Sequence, residues 1–274
     1  MGASLQGRLL KIGVDNDLDI RPDTPFEHFI VEDGRVVGAA VRHDGRTIRI
    51  RAERGVVANA GGFAHNGAMR AQFGRPGASA TTQANPGETG EVLTEAIKLG
   101  AAVDCMDEAI WVPTSLGPDG VLPPGVDGTG ESIAHFSHHW DVSFPHSIVV
   151  DATGRRFFNE ASSYMEFGQR IYQRHQENGG DVPAWAIIES RHRKRYLWAR
   201  NPGATPKEWL DSGYMIQAGS IAELAEKTGL PAENLRETIT RFNGFAARGV
   251  DEDFHRGDAA FDQLHGDPTV KPNP

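Results

Sequence analysis

The chain has 274 residues, of which 39% are hydrophobic and 24% charged, and its formal net charge is -9. This composition excludes a disordered chain, and the acidic balance argues against a nucleic-acid or anionic-membrane surface, since either needs clustered cations. No stretch approaches the ~20 apolar residues of a membrane helix, and the first residues carry no secretion signal. We therefore expect a cytoplasmic protein without an integral membrane segment. The single cysteine, Cys105, excludes an intrachain disulfide and is expected to be a buried structural thiol.

The first half begins with an amphipathic helix and a set of hairpin strands. Leu5, Leu9 and Leu10 share one helical face, and Gly13 is the predicted end of that helix. Residues 17–25 are β-like. Residues 26–52 contain two Asp-Gly pairs between runs of Val, Ile and Phe, and such pairs supply the positive φ angles of tight hairpins. The pattern predicts a three-stranded antiparallel meander.

A predicted buried strand over 56–59 precedes a glycine turn. A long loop rich in Gly, Pro, Ala and Ser then leads to a helix, which we expect to be capped by Thr89 and closed by Gly100. Residues 113–132 are rich in Pro and Gly, and this connection is the best candidate for a domain boundary.

The second half mixes short strands with helices. Residues 147–160 indicate a strand, turn and second strand; a helix follows over 163–177, then a short strand over 183–190. The basic run Arg191–Arg195 is predicted to be a solvated helix face. Two helices end the pattern: Ser220 and Glu223 form a capping box for the first, and Pro231 starts the second.

Three segments have residue types that suit a ligand site, and each of them also has an ordinary structural explanation. Gly61 and Gly62 let a ligand approach the backbone, although a Gly-Gly pair is also an ordinary turn. Thr89 and Gly90 begin a helix whose free N–H groups attract polar ligands, although the same pattern describes an ordinary capped helix. Tyr164 transfers protons if it is activated, or else it is a packing residue with an exposed hydroxyl.

A metal site is not predicted. The chain has 11 histidines, and four of them lie close together, yet no Cys or carboxylate stands at a zinc-site spacing around them. These four are His135, His138, His139 and His146.

Taken in order, the motifs AGGF, NPGETGE and GRRFFNE, with a tyrosine a few residues later, resemble flavoproteins of the fumarate reductase and 3-ketosteroid 1-dehydrogenase superfamily. The tail from Trp209 to Pro274 is similar to the substrate-domain end of the ketosteroid branch. Where fumarate reductases are expected to carry an arginine, this chain has Tyr164, flanked by apolar Met165, Phe167 and Ile171.

The resemblance implies an FAD cofactor and a set of residues around it. Phe26 is expected beside the adenine through its backbone, and Glu91 stands where the family usually has aspartate. The remaining cofactor residues that the resemblance implies are Asn59, Ala60, Gly61, Gly62, Thr89 and Gly90.

The resemblance further implies a 1,2-desaturation of an apolar, steroid-like 3-oxo substrate. A hydride leaves C1 for the flavin, Tyr164 accepts the C2 proton, and Phe167, Trp185 and Ile187 contact the substrate. The electron acceptor stays unidentified. Two alternatives remain open: a fumarate reductase-like or other enone-forming flavoprotein, and a non-catalytic binding fragment.

The implied fold is α/β and α+β, with a partial FAD-binding domain over 1–120 and an α+β substrate cap over 121–274. The chain contains no GxGxxG fingerprint for the pyrophosphate and stops after KPNP, before a further tyrosine of the family. We therefore expect a central fragment that does not hold FAD tightly by itself.

Overall fold

The computed structural model describes residues 2–76, 82–123, 137–178 and 184–273. The chain divides into two compact units, one made of Met1–Met69 and Pro86–Cys105, the other of Arg70–Asn85 and Met106–Pro274. The chain passes from the first unit to the second after Cys105, which is before the predicted domain boundary at 113–132. Residues 124–132 of that predicted boundary lie outside the described ranges. The division into a cofactor domain and a substrate domain stays a prediction.

The first unit contains the predicted meander. The three strands pair antiparallel in the order β1-β2-β3. Both connections are Asp-Gly turns with positive φ, 48° and 75° at Asp33 and Gly34, and 48° and 73° at Asp44 and Gly45. This prediction is confirmed because two-residue turns fix the register of the strands that they join. The elements are α1 (Gly2–Asp15), β1 (Phe26–Glu32), β2 (Arg35–His43), β3 (Arg46–Arg51), α2 (Gly67–Phe73), which runs into the second unit, and α3 (Glu91–Lys98).

Three details of the first unit differ from the sequence prediction. Gly13 does not end α1, which continues to Asp15, and Asp17 takes the left-handed conformation beyond it. Residues 17–25 are irregular. Residues 56–59 form no strand, and Val57 is 95% exposed. An apolar run becomes a strand only when neighbouring backbone accepts its hydrogen bonds, and the described residues offer this run no partner strand.

The second unit is built around a two-stranded antiparallel sheet of β4 and β5. Alternate residues of β4 enter two different core clusters: Val149 packs with Phe158 and Phe167, whereas Ile148 and Val150 pack with residues of α7 and α8. Both faces of the sheet are therefore covered. The elements are β4 (Ser147–Val150), α4 (Tyr164–Asn178), β5 (Trp185–Ile188), α5 (Ser190–Arg195), α6 (Lys207–Asp211), α7 (Ile221–Thr228), α8 (Ala232–Arg248) and α9 (Ala260–His265).

The helix ends of α7 and α8 follow the sequence closely. The Ser220 hydroxyl accepts the backbone N–H of Glu223 at 3.2 Å, and the Glu223 carboxylate accepts the N–H of Gly219 at 2.7 Å, which confirms the predicted cap. Pro231 directly precedes α8, and Gly229 and Gly249 end the two helices with φ of 74° and 73°.

The second predicted strand of 147–160 is wrong. Residues 155–160 are irregular, because among the described residues no strand pairs with them, and two of their side chains belong to a buried ion network. Arg156 donates to Glu160 at 2.7 Å and to Asp251 at 2.8 Å, and Arg256 lies 3.4 Å from Glu160. We call these four residues the buried ion network. Each of the four is at least nine-tenths buried.

Two surface predictions are also corrected. The basic run on α5 is not wholly solvated, since His192 and Arg193 are buried. His192 binds the Asp141 carbonyl at 2.7 Å, and Arg193 donates to the Gly203 carbonyl at 3.1 Å, so main-chain oxygens replace water around these side chains. Cys105 is exposed rather than buried, because its segment has no helix or strand to cover it. Among helices of the described residues, none combines the length and apolarity needed to cross a bilayer.

Candidate functional site

The predicted cofactor segment of the first unit is an open stretch of backbone. Residues 56–61 are all exposed and belong to no helix or strand, and Gly61 has φ of 72°. A Cβ added at Gly61 would lie 3.2 Å from the Glu88 side chain. The Glu88 side chain therefore lies beside the Cβ positions of Gly61 and Gly62, whereas Asn59 and Ala60 present exposed backbone. Such a surface suits close approach by a flat or extended ligand.

The start of α3 adds polar backbone groups to the same unit. Gly90 precedes the helix with φ of 79°, and an added Cβ there would lie 2.7 Å from the Met69 sulfur. No side chain caps the helix, so the predicted cap by Thr89 is wrong: its hydroxyl donates to the Glu91 carboxylate instead. That hydrogen bond, followed by a backbone one, lowers the pKa of Glu91. An uncapped helix start beside an ionised carboxylate offers both donors and acceptors.

Helix α3 packs against β1, the strand that begins at Phe26. The ring of Phe26 lies 4.8 Å from that of Phe29, and its strand pairs with β2 on one side and forms an edge of the sheet on the other. The exposed glycine backbone, the uncapped helix and this strand belong to one compact unit. The residues present therefore fit part of a nucleotide cofactor site.

Tyr164, the predicted proton acceptor, is the first residue of α4 and is 38% exposed. Its ring meets the His139 ring edge-on, with 5.4 Å between the centroids. His139 in turn lies 5.4 Å from Trp140 and 6.5 Å from His265. Burial, and secondarily His265, lowers the pKa of His139 to about 4. The phenol thus stands beside an uncharged imidazole at neutral pH.

The depressed pKa of His139 predicts an acid-sensitive stability. The unfolded chain takes up a proton at this residue near pH 6.5, whereas the folded chain does so only near pH 4, so the free energy of unfolding falls as the pH falls between these values. Because the ring is partly solvated, we expect a discounted loss of about 1 kcal/mol between pH 7 and pH 5. Urea unfolding at both pH values measures it. His139→Gln should reduce the loss by about this amount, because His146 and His192 also have lowered pKa values and keep their share of it. The exposed control His28→Gln should keep the full loss, and equal losses in the two variants would contradict the prediction.

The second unit also contains a cavity of about 1840 Å³. Of the predicted substrate residues, Phe167, Trp185 and Ile187 all line it, although Phe167 is also packed 4.3 Å from Phe158 in the core. Tyr164 is not among the described residues that line this cavity. The structure therefore brings the three predicted substrate residues together and leaves the predicted base apart from them.

Sequence reasoning missed a polar cluster on the wall of the same cavity. The Ser115 hydroxyl lies 2.7 Å from His138 Nε2, and His138 Nδ1 lies 2.9 Å from Asp141 Oδ2. The Tyr214 hydroxyl lies 3.2 Å from Ser115 Oγ. Only the three-residue spacing of His138 and Asp141 is visible in the sequence, and the other partners come from distant segments.

The histidines do not form a metal centre within the described ranges. No group of three or more His, Cys, Asp or Glu that could hold a metal ion occurs there. His135 lies outside these residues, and His146 instead lies 3.6 Å from the Glu189 carboxylate.

Comparisons with known proteins agree along the whole chain. The family model described as "FAD binding domain" matches residues 1–274. The 3-oxosteroid 1-dehydrogenase of Mycobacterium tuberculosis is 41% identical over 100% of this chain and 48% of that protein. The enzyme of the same name from Mycolicibacterium smegmatis is 40% identical over 97% and 46%. The chain thus spans about half the length of the curated relatives it matches.

A solved structure gives the same result for the fold. The crystal structure of 3-ketosteroid delta1-dehydrogenase from Sterolibacterium denitrificans, in complex with 1,4-androstadiene-3,17-dione, matches with a TM-score of 0.80 and 33% identity. The match covers 96% of this chain and 46% of that one. The fold, with its helices and antiparallel sheets, is therefore that of FAD-binding flavoenzymes, and FAD is the cofactor of this group. The chain belongs to the FAD binding domain family.

Proposed function

We propose that this chain is part of an FAD-dependent dehydrogenase that introduces the 1,2 double bond of 3-oxosteroids. The observation that carries the proposal is the 41% identity to a 3-oxosteroid 1-dehydrogenase along the full chain. The steroid bound to the structural relative supports the same substrate class. In this proposal the first unit contributes to the cofactor site, and the second forms an α+β cap for the substrate.

The first unit holds one part of FAD through main-chain groups. Backbone at Phe26 would lie by the adenine, and residues 59–62 would line the flavin. The N–H of Gly90 would donate to a polar atom of the cofactor, whereas the Thr89 N–H already donates to the Gly87 carbonyl at 3.0 Å, and Glu91 would accept from a sugar or ribityl hydroxyl. FAD, when bound, supplies the hydride acceptor.

The second unit provides the proton chemistry. Desaturation removes a hydride from C1 and a proton from C2, and polarisation of the C3 carbonyl acidifies that proton. Tyr164 accepts it as a phenolate or through a polarised hydrogen bond. A phenol has an unperturbed pKa of about 10, so it needs such activation. Phe167, Trp185 and Ile187 supply apolar surface for the ring system.

The test uses the complete protein as it is made in its organism. We expect visible flavin absorption, consumption of a 3-oxosteroid with an artificial electron acceptor, and a product lighter by two hydrogens. Fumarate with a reduced dye is the comparison substrate. A flavin-loaded protein that reduces fumarate and leaves 3-oxosteroids unchanged would overturn the proposal in favour of the reductase branch. A protein that takes up no flavin would favour a binding role.

A further inference from the structure

The cavity of the second unit carries a hydrogen-bonded chain of side chains on its wall that the desaturation does not use. Ser115, His138, Trp198 and Tyr214 all line the cavity, and Asp141 stands behind His138. We call Ser115, His138 and Asp141 the serine triad. From this arrangement, we propose that the cavity is a second active site, which hydrolyses uncharged apolar esters with Ser115 as nucleophile.

The backbone places Ser115 directly beside His138. Thr114 and Ser137 form an antiparallel bridge, and the N–H of His138 donates to the Pro113 carbonyl at 2.9 Å. The hydroxyl and the imidazole thus project from two backbone segments that are hydrogen-bonded to each other, which fixes their distance. A nucleophile within 2.6–3.2 Å of its base is the geometry that acyl transfer needs.

Asp141 fixes the tautomer of His138. A carboxylate accepts hydrogen bonds, so the 2.9 Å contact places the ring proton on Nδ1, and Nε2 is then the nitrogen that accepts from the Ser115 hydroxyl at 2.7 Å. Asp141 is held in turn by the backbone N–H of Ala199, at 2.8 Å from Oδ2. The ring of Trp198 stacks on the His138 ring, with 4.5 Å between centroids and 21° between planes. Asp141 therefore orients the His138 ring, and the Trp198 indole packs against it.

Tyr214 provides a donor for the charge that develops during the reaction. The indole N–H of Trp198 donates to the Tyr214 oxygen at 2.9 Å, and the Tyr214 hydroxyl lies 3.2 Å from Ser115 Oγ. Burial raises the pKa of Tyr214, so the hydroxyl keeps its proton. A neutral hydroxyl aimed at a developing oxyanion is one of the ways in which proteins stabilise tetrahedral intermediates.

The reaction balances with water as the only co-reactant. Ser115 Oγ attacks the ester carbonyl carbon while its proton moves to His138 Nε2. The bond to the alcohol oxygen then breaks, and His138 returns the proton to the leaving alcohol. Water next attacks the acyl group, His138 takes and returns a second proton, and the carboxylic acid leaves with Ser115 restored.

The cavity wall sets the substrate class. Ile221, Leu224 and Phe242 line another part of it with apolar surface, which favours an uncharged ester with a long acyl chain. Each additional buried methylene should raise kcat/KM about fourfold until the chain fills the cavity.

The experiment uses the 274-residue chain and needs no flavin, so its result is independent of the proposed desaturation. The chain is treated with an alkyl fluorophosphonate, and the adduct is located by peptide mass. We expect one adduct, on Ser115, and hydrolysis of 4-nitrophenyl octanoate faster than of the acetate. Ser115→Ala should abolish both, and His138→Gln should slow labelling by about 10²-fold or more. Ser190→Ala, which removes another hydroxyl of the cavity wall, is the matched control and should change neither rate.

Labelling of the unmodified chain keeps the test decisive even where a variant folds poorly. A folded chain, verified by circular dichroism, that acquires no adduct on Ser115 would overturn the proposal. So would an adduct on a different serine, or ester hydrolysis that Ser115→Ala leaves unchanged. In each of these cases the serine triad only joins the loop at 113–115 to the turn at 138–141.

Discussion

Replacement of Tyr164 with phenylalanine should lower kcat of the proposed 1,2-desaturation by about 10²–10⁴-fold, the usual contribution of a positioned proton acceptor. The substitution removes only the hydroxyl, and the ring can keep its edge-on contact with His139. We therefore expect KM for a 3-oxosteroid and flavin absorption to change little. Steady-state kinetics of the complete, flavin-loaded protein measure both quantities.

Tyr172 offers a matched control on the same helix. Its hydroxyl donates to the Pro76 carbonyl at 2.7 Å, away from Tyr164 by two turns of α4. Tyr172→Phe should leave kcat nearly unchanged. A loss of less than about tenfold in Tyr164→Phe, or equal losses in the two variants, would remove Tyr164 from the proposed role. A large rise in KM with constant kcat would instead mean that the hydroxyl binds the substrate.

The sequence predicted those parts of the fold whose turns and hydrogen bonds form between residues close together in the chain. The meander follows from two Asp-Gly pairs, because the turn residues themselves adopt the positive φ angles that join the strands. The start of α7 follows from Ser220 and Glu223, whose hydrogen bonds close within four residues. In both cases the information lies inside the element, and no distant segment has to be known.

Other predictions failed where a distant partner decides the outcome. Val57 belongs to an apolar run that is typical of a buried strand, yet such a run needs a neighbouring strand, and periodicity does not report one. Arg193 belongs to a basic run, yet carbonyls of residues 196–203 surround its guanidinium and bury it. Charge alone therefore does not determine exposure when the main chain supplies acceptors.

The candidate sites show the same limit. The cofactor residues are predicted from motifs, because glycines and a helix start carry a recognisable local pattern. The serine triad was missed because Ser115 and His138 lie 23 residues apart, and Tyr214 a further 76 beyond. A hydrogen-bonded cluster of this kind becomes visible only after the chain has folded.

Replacement of Arg156 with methionine should reduce the free energy of unfolding by about 3–5 kcal/mol, since it leaves buried carboxylates without their main cation. Burial opposes ionisation of Glu160, but the charge and hydrogen bonds of Arg156 outweigh it and hold the pKa of this carboxyl below its usual value. Arg155→Met is the matched control: the exposed pair of Arg155 with Glu237 should be worth about 1 kcal/mol or less. Urea denaturation of both variants at pH 7 measures the two values. If Arg156→Met costs no more free energy of unfolding than Arg155→Met, the buried ion network adds no net stability. The desolvation penalty of its charges would then cancel their Coulombic attraction.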